Sequence, residues 1–258
     1  MVKITLLGTG GDAYTIARQI RGSGGIIIEM EGTQLHIDPG PGALPAAKNA
    51  GVDLRKTAAI LVSNDHLHTA GDLNAVISAM TYDGFDRHGV VLASESVING
   101  RDDIPPMLRP DYADMVERAI SLQGVPRVGI NNVTIYITKA EHEDPSAVGF
   151  QFVAGKDRVS YTGDTGLTLE VIAAHKGADV LIANMPLPED ELSARRLNVV
   201  GVTELVNKIN PKTLILTRFG QQLLKQDVRA VGRKMAQKVK CHVIIAEDGV
   251  TIDTSTYR

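Results

Sequence analysis

The sequence predicts an α/β protein (α+β), and three observations carry that reading. Short β-branched runs alternate with helical segments along the whole chain. Two similar β-rich halves meet near Pro126, with neither a long linker nor a low-complexity tract between them. Several Gly- and Asp-rich turns directly follow apolar strands, which is where loops collect function. A chain of 258 residues is long enough to bury a substantial core, and residues 1–258 read as one domain.

The elements follow in order. Met1-Val2-Lys3-Ile4 opens a first strand that runs to Leu7, and it does not look like a secretory signal. Residues 26–29 and 34–37 are strands joined by a Glu31-Gly32-Thr33 turn. A short helix is expected over 41–49, stopped near Gly51. Residues 58–62 and 90–93 are buried strands, with a helix over 73–80 between them. Met115, Ala119 and Leu122 recur at helical spacing, so 111–122 is expected to be an amphipathic helix. Residues 99–110, rich in charge and proline, read as a long solvated loop. In the second half, 134–138, 148–153 and 159–161 form a three-strand meander. Helices are expected over 169–175, 203–209 and 222–238, and strands over 213–217, 243–246 and 250–253.

Composition excludes several classes. Hydrophobic residues make up 43% and charged residues 22%, ordinary values for a soluble globular protein. A net charge of −3 supplies no global basic field for nucleic acid or anionic membrane. No apolar run approaches the length of a membrane span. Cys241 is the only cysteine, so no intramolecular disulfide forms; a reducing, cytoplasmic setting is expected.

One stretch concentrates the chemistry: Ser63-Asn64-Asp65-His66-Leu67-His68-Thr69-Ala70-Gly71-Asp72, set between an apolar strand and a helix. Further along come Asp38-Pro39-Gly40, Glu141-His142-Glu143-Asp144, Thr162-Gly163-Asp164-Thr165-Gly166 and Thr217-Arg218-Phe219-Gly220, each just beyond a strand. These five segments, in this order, resemble the motifs of the metallo-β-lactamase superfamily, in its metal-dependent hydrolase and ribonuclease Z-like branch. The resemblance covers most of the chain. It implies a four-layer αββα sandwich, with two mixed sheets face to face and helices on both outer faces.

The resemblance also implies a site, and the site departs from the family pattern. Keeping Gly71-Asp72-Leu73 in register puts Asn64 and His66 at the first two His positions of H-x-H-x-D-H. His68 then stands at the Asp position and Thr69 at the last His position. His142 matches the third-motif His, Asp164 the metal-bridging Asp, and Arg218 the final His. A first metal would draw on Asn64, His66, His142 and Asp164; a second would need His68, Thr69, Arg218 and Asp164. A guanidinium has no lone pair to donate, so the second set cannot bind a metal in the usual way. The expectation is one zinc ion at most, with iron or manganese as alternatives and a metal-free site also open. Arg218 is expected to pair with Asp164, and Asp38 to orient a ligand His from behind. Asp38 and Asp164 also suit the bracing of Gly-flanked turns. Lone histidines at 36, 88, 175 and 242 read as structural or exposed.

Two function classes follow. One is a hydrolase with an impaired, at most mononuclear site, acting on a phosphodiester or ester. The other is a non-catalytic paralogue that uses the old cleft to bind an anion or a protein. A small anionic substrate or ligand is expected in either case, and a homo-oligomer stays open. Gly8-Thr9-Gly10-Gly11-Asp12-Ala13 also fits a dinucleotide-binding turn. A hairpin follows it where a second βα unit should be, which argues against that fold.

Overall fold

The computed structural model describes residues 2–257; Met1, at the head of the expected first strand, lies outside them. The first half builds β1 (Val2–Leu6), β2 (Ile26–Met30), β3 (Thr33–Ile37), β4 (Thr57–Val62), β5 (Val90–Ala93) and β6 (Arg118–Ser121). The second half builds β7 (Arg127–Ile130), β8 (Val133–Lys139), β9 (Val148–Ala154), β10 (Asp157–Tyr161), β11 (Val180–Asn184), β12 (Thr213–Thr217) and β13 (His242–Ile245). The last strand, β14 (Thr251–Asp253), returns to β1, so the sheet orders are β14-β1-β2-β3-β4-β5-β6 and β13-β12-β11-β10-β9-β8-β7. The division near Pro126 is thus the division between sheets.

Helices cover both outer faces. They are α1 (Ala13–Ala17), α2 (Ala43–Asn49), α3 (Leu67–Ala70), α4 (Leu73–Thr81), α5 (Glu95–Asn99), α6 (Pro110–Ala113), α7 (Leu169–Ala174), α8 (Val199–Ile209), α9 (Gln221–Leu224) and α10 (Val228–Ala236). Three apolar clusters account for the layers. Leu35, Leu61, Phe150, Phe152 and Tyr161 fill the space between the sheets. Ile60, Val62, Leu73, Val76 and Ile77 seal the first sheet under α2 and α4. Leu181, Leu214, Leu216, Val202 and Leu205 seal the second under α7, α8 and α10. Strands buried on both faces read as continuous apolar runs, which is why β4 and β12 were legible.

Two expected helices are corrected. Over 111–122 the chain makes only α6 and then β6, which pairs in parallel with β5 from Val90↔Arg118 to Ala93↔Ser121. The open edge of β5 offers backbone N–H and C=O groups that a helix cannot satisfy, and this tertiary demand overrides the helical spacing. The single helix expected over 222–238 is two, α9 and α10, because Asp227 caps the second through Ala230 N at 3.1 Å. Strand β11 was not anticipated, although all five of its residues are buried.

Candidate metal centre

Strands β3, β4 and β5 run parallel to one another, as do β10, β11 and β12. Their carboxyl ends share an edge, where ligands bind in open α/β sheets. Asp38 follows β3, Asn64 follows β4, Asp164 follows β10, Asn184 ends β11 and Arg218 follows β12. His66 and His68 flank the start of α3, and His142 comes from the β8–β9 loop. All seven residues expected at the site therefore meet in one cleft. Two of them, Asp38 (φ 53°) and Arg218 (φ 56°), take a left-handed backbone that costs a non-glycine residue on the order of 1 kcal/mol.

Glycines let the backbones close in. A Cβ on Gly11 would lie 1.8 Å from the Arg218 carbonyl oxygen, and one on Gly40 would lie 2.1 Å from that of His68. The glycine-rich turn after β1 therefore packs against residues 218 and 219. Gly11 N donates to Phe219 O at 2.9 Å and Phe219 N to Thr9 O at 2.7 Å. This turn supports the cleft rather than a dinucleotide.

The imidazoles cluster. The His66 ring centroid is 5.0 Å from that of His68 and 4.7 Å from that of His142. Burial, then the neighbouring His68, lowers the His66 pKa to about 4, so at neutral pH its ring is uncharged and keeps a lone pair. His68 Nε2 lies 3.6 Å from Asp164 Oδ2. Burial opposes ionisation of Asp164, but the His68 contact and the charge of Arg218 outweigh it and hold the carboxyl well below the usual range. The other oxygen, Oδ1, accepts from Asn184 Nδ2 at 2.8 Å.

Two expected roles are overturned. Asp38 touches no imidazole: it accepts from Ser63 N (2.7 Å), Ser63 Oγ (2.9 Å) and Tyr161 Oη (2.5 Å). It ties the ends of β3, β4 and β10 together, across the two sheets. Arg218 does not pair directly with Asp164. Its Nη2 lies 3.8 Å from Asp38 Oδ2 and donates to Thr69 Oγ1 at 2.8 Å, while Nη1 donates to the His68 carbonyl at 3.2 Å. Asn64 is also engaged, because its Oδ1 accepts from His66 N at 3.1 Å. That contact braces the His66 turn, and the amide oxygen keeps a second lone pair.

Two donor triads remain. The ligand atoms of His66, His68 and Asp164 lie within 4.8 Å of one another, and so do those of His66, His142 and Glu143. A neutral imidazole has a single lone pair, so the shared His66 serves one ion, and the triads exclude each other. In the first triad the carboxylate already meets His68 and Asn184. In the second, His142 Nδ1 accepts from Asp144 N at 3.0 Å, and Nε2, 3.3 Å from Glu143 Oε2, has no hydrogen-bond partner among the described residues. The void bounded by His66, His68, Asp164 and Asn184 is about 10 Å³, room for one ion or one water.

The same cleft holds four of the nine buried side-chain polar atoms that lack a hydrogen-bond partner among the described residues: His66 Nδ1, His142 Nε2, Asn184 Oδ1 and Arg218 Nε. Buried polar atoms are rarely left unpaired, and a cluster of them marks a place built to receive something polar. Imidazole nitrogen with carboxylate and amide oxygen suits zinc or a similar divalent ion. Glu143 and Asn184 were not singled out from the sequence. Glu143 adjoins His142 and was open to notice; Asn184 ends a strand that itself went unread.

A family model described as a beta-lactamase superfamily domain matches residues 33–219, more than half of the chain. The uncharacterized protein MJ1374 of Methanocaldococcus jannaschii is 26% identical over 254 residues, spanning 98% of this chain and 95% of that protein. Among solved structures, the metallo-beta-lactamase fold protein YhfI of Bacillus subtilis superposes with a TM-score of 0.78 at 18% identity, covering 97% of this chain and 98% of its own. The short form of human tRNase Z superposes at 0.71 with 16% identity, over 97% and 98% of the two chains.

Proposed function

The chain belongs to the beta-lactamase superfamily, and on that footing we propose that it is a hydrolase of anionic esters, phosphodiesters first among them, working with a single metal ion. The observation that carries the reading is the pair of donor triads sharing His66, beside a void that fits one ion. In the proposal His66, His68 and Asp164 hold the metal and Asn184 Oδ1 completes the set. Zinc there would lower the pKa of a bound water towards neutrality and polarise the ester.

The chain's own residues prepare that place. Asn64 fixes the His66 turn through its backbone N–H. Arg218, buried and left-handed, holds the His68 carbonyl and the Thr69 hydroxyl and so sets the pitch of the ligand turn. Its charge offsets the carboxyl groups of Asp38 and Asp164 without supplying a metal ligand, and the metal together with Arg196 would attract the anionic ester. The likeness to tRNase Z supports a phosphodiester as the bond cleaved.

Metal analysis of protein purified without added metal, followed by zinc titration calorimetry, tests this. One equivalent, lost in His66→Ala, is expected, together with zinc-dependent cleavage of bis(p-nitrophenyl) phosphate. Two equivalents at the cleft would overturn the single-ion reading. No binding at all would favour a non-catalytic anion binder.

A further inference from the structure

Beside the metal centre a groove of about 670 Å³ runs between α1 and the His66–His68 turn, a size that suits a small organic molecule. Its walls are apolar. Tyr14 and Ile16 line it from α1, and Leu67 from the ligand turn. Leu67 sits in sequence between the two imidazoles yet is 68% exposed, and Tyr14 opposite is 45% exposed. One exposed leucine is ordinary, but two large apolar side chains lining a groove that ends at a polar site mark a binding surface. The Arg18 guanidinium lies 5.6 Å from the Tyr14 ring centroid and donates to its hydroxyl at 3.2 Å, which holds that wall in place.

Charge decides what the groove accepts. His66, His68 and Arg196 line both this groove and the small void at Asp164 and Asn184, so the groove meets the metal centre at these three residues. Arg196 is tied only loosely, with Nη2 at 3.8 Å from Glu143 Oε1, and its side chain is 40% exposed. The carboxylate in the wall, Asp12, is committed elsewhere: Oδ1 accepts from Thr15 N at 2.7 Å and Oδ2 from Gln221 N at 2.6 Å. The groove therefore offers cationic and imidazole donors at one end and hydrocarbon along its length. That pattern complements an anion bearing an apolar group and disfavours a cation or a highly polar sugar.

We propose that this groove is a specificity subsite for the apolar alcohol portion of an organic phosphate ester, with Arg196 holding the phosphate and Leu67 and Tyr14 the apolar group. The inference rests on the ester-hydrolase reading and names its substrate class. Leu67 and the metal ligands then share one short turn, so substrate choice and metal geometry are built from the same three residues, His66-Leu67-His68.

The test is calorimetric binding of phenyl phosphate and of inorganic phosphate to wild type, Leu67→Ser and Arg196→Gln, each checked for fold by circular dichroism. Wild type is expected to prefer phenyl phosphate by about tenfold or more, the low end of what a hydrophobic pocket discriminates. Leu67→Ser should cut that preference several-fold with inorganic phosphate little changed. Arg196→Gln should weaken both ligands alike. Equal affinity for the two ligands in wild type, or an undiminished preference in Leu67→Ser, overturns the subsite. Zinc binding with no phenyl preference would sink the subsite alone. A phenyl preference without zinc binding would sink the hydrolase reading and leave the groove standing.

Discussion

The two ends of the second sheet use similar residues to opposite effect. At the amino ends of β10–β12, Lys212 Nζ meets Asp179 Oδ1 at 2.8 Å with side chains 64% and 34% exposed, and Asp179 Oδ2 also accepts from Arg158 N at 3.2 Å. At the carboxyl ends, Arg218 and Asp38 lie 3.8 Å apart with side chains 3% and 1% exposed. Arg218 Nε and three other polar atoms of the cleft have no hydrogen-bond partner among the described residues. Exposed pairs are screened by water and contribute little. A buried charge is tolerated only if the surroundings hold it, and incomplete pairing there has to be balanced by stability elsewhere in the fold. The difference teaches where to look for function: among the buried charges, not the visible salt bridges.

The largest expected effect tests that contrast directly. Arg218→Met should destabilise the metal-free protein by about 3–5 kcal/mol, since it leaves the buried Asp38 with its Ser63 and Tyr161 hydrogen bonds but without the guanidinium charge. Lys212→Met at the far end should cost less than about 1 kcal/mol. Urea denaturation at neutral pH measures both. Losses of similar size would erase the distinction between the two ends.

A second measurement separates cleft histidines from those in the walls. Burial lowers His36 and His175 to about 4, as it does His66. His36 Nε2 lies 2.8 Å from the Gly24 carbonyl and His175 Nδ1 lies 2.6 Å from Ser160 Oγ, both away from the cleft. For a histidine whose folded pKa is depressed, the unfolded chain binds more protons between the two pKa values. Stability is therefore full above about pH 6.5 and falls as pH drops towards about 4. His36 and His175 should each contribute on the order of 3 kcal/mol to that fall. His175→Gln should flatten the profile of the metal-free protein between these pH values. A profile that is flat in wild type would show these rings to be hydrated.

The smallest effect concerns orientation within the cleft. Asn64→Ala removes the acceptor for His66 N without removing a ligand, so zinc affinity should drop by roughly 10–100-fold while stoichiometry stays unchanged. Loss of all binding would instead make Asn64 a ligand, and no change would make its contact with His66 incidental.

Much of this was legible from local pattern. Apolar runs such as Ala59-Ile60-Leu61-Val62 and Leu214-Ile215-Leu216 announce strands buried on both faces, and the polar turns that follow them place Asn64 and Arg218 at strand ends. The chemistry of a missing imidazole is equally local. Thr69 and Arg218 are not zinc ligands of the usual kind wherever they sit, so the expectation of a single ion comes from local chemistry alone.

What needed the assembled sandwich was every pairing across a long stretch of chain. Asp38 meets Tyr161, and Arg218 reaches Asp38 and Thr69, because two sheets pack face to face. Asn184 holds Asp164 and Arg196 reaches Glu143 because loops converge at one end of the second sheet. Residues 118–121 likewise became a strand because β5 had an unpaired edge to fill. Periodicity and turn chemistry act over a few residues, whereas a carboxylate's partner is set by which strand ends converge. The residue types and their strand-end positions therefore belong to the chain, and their partners belong to the fold.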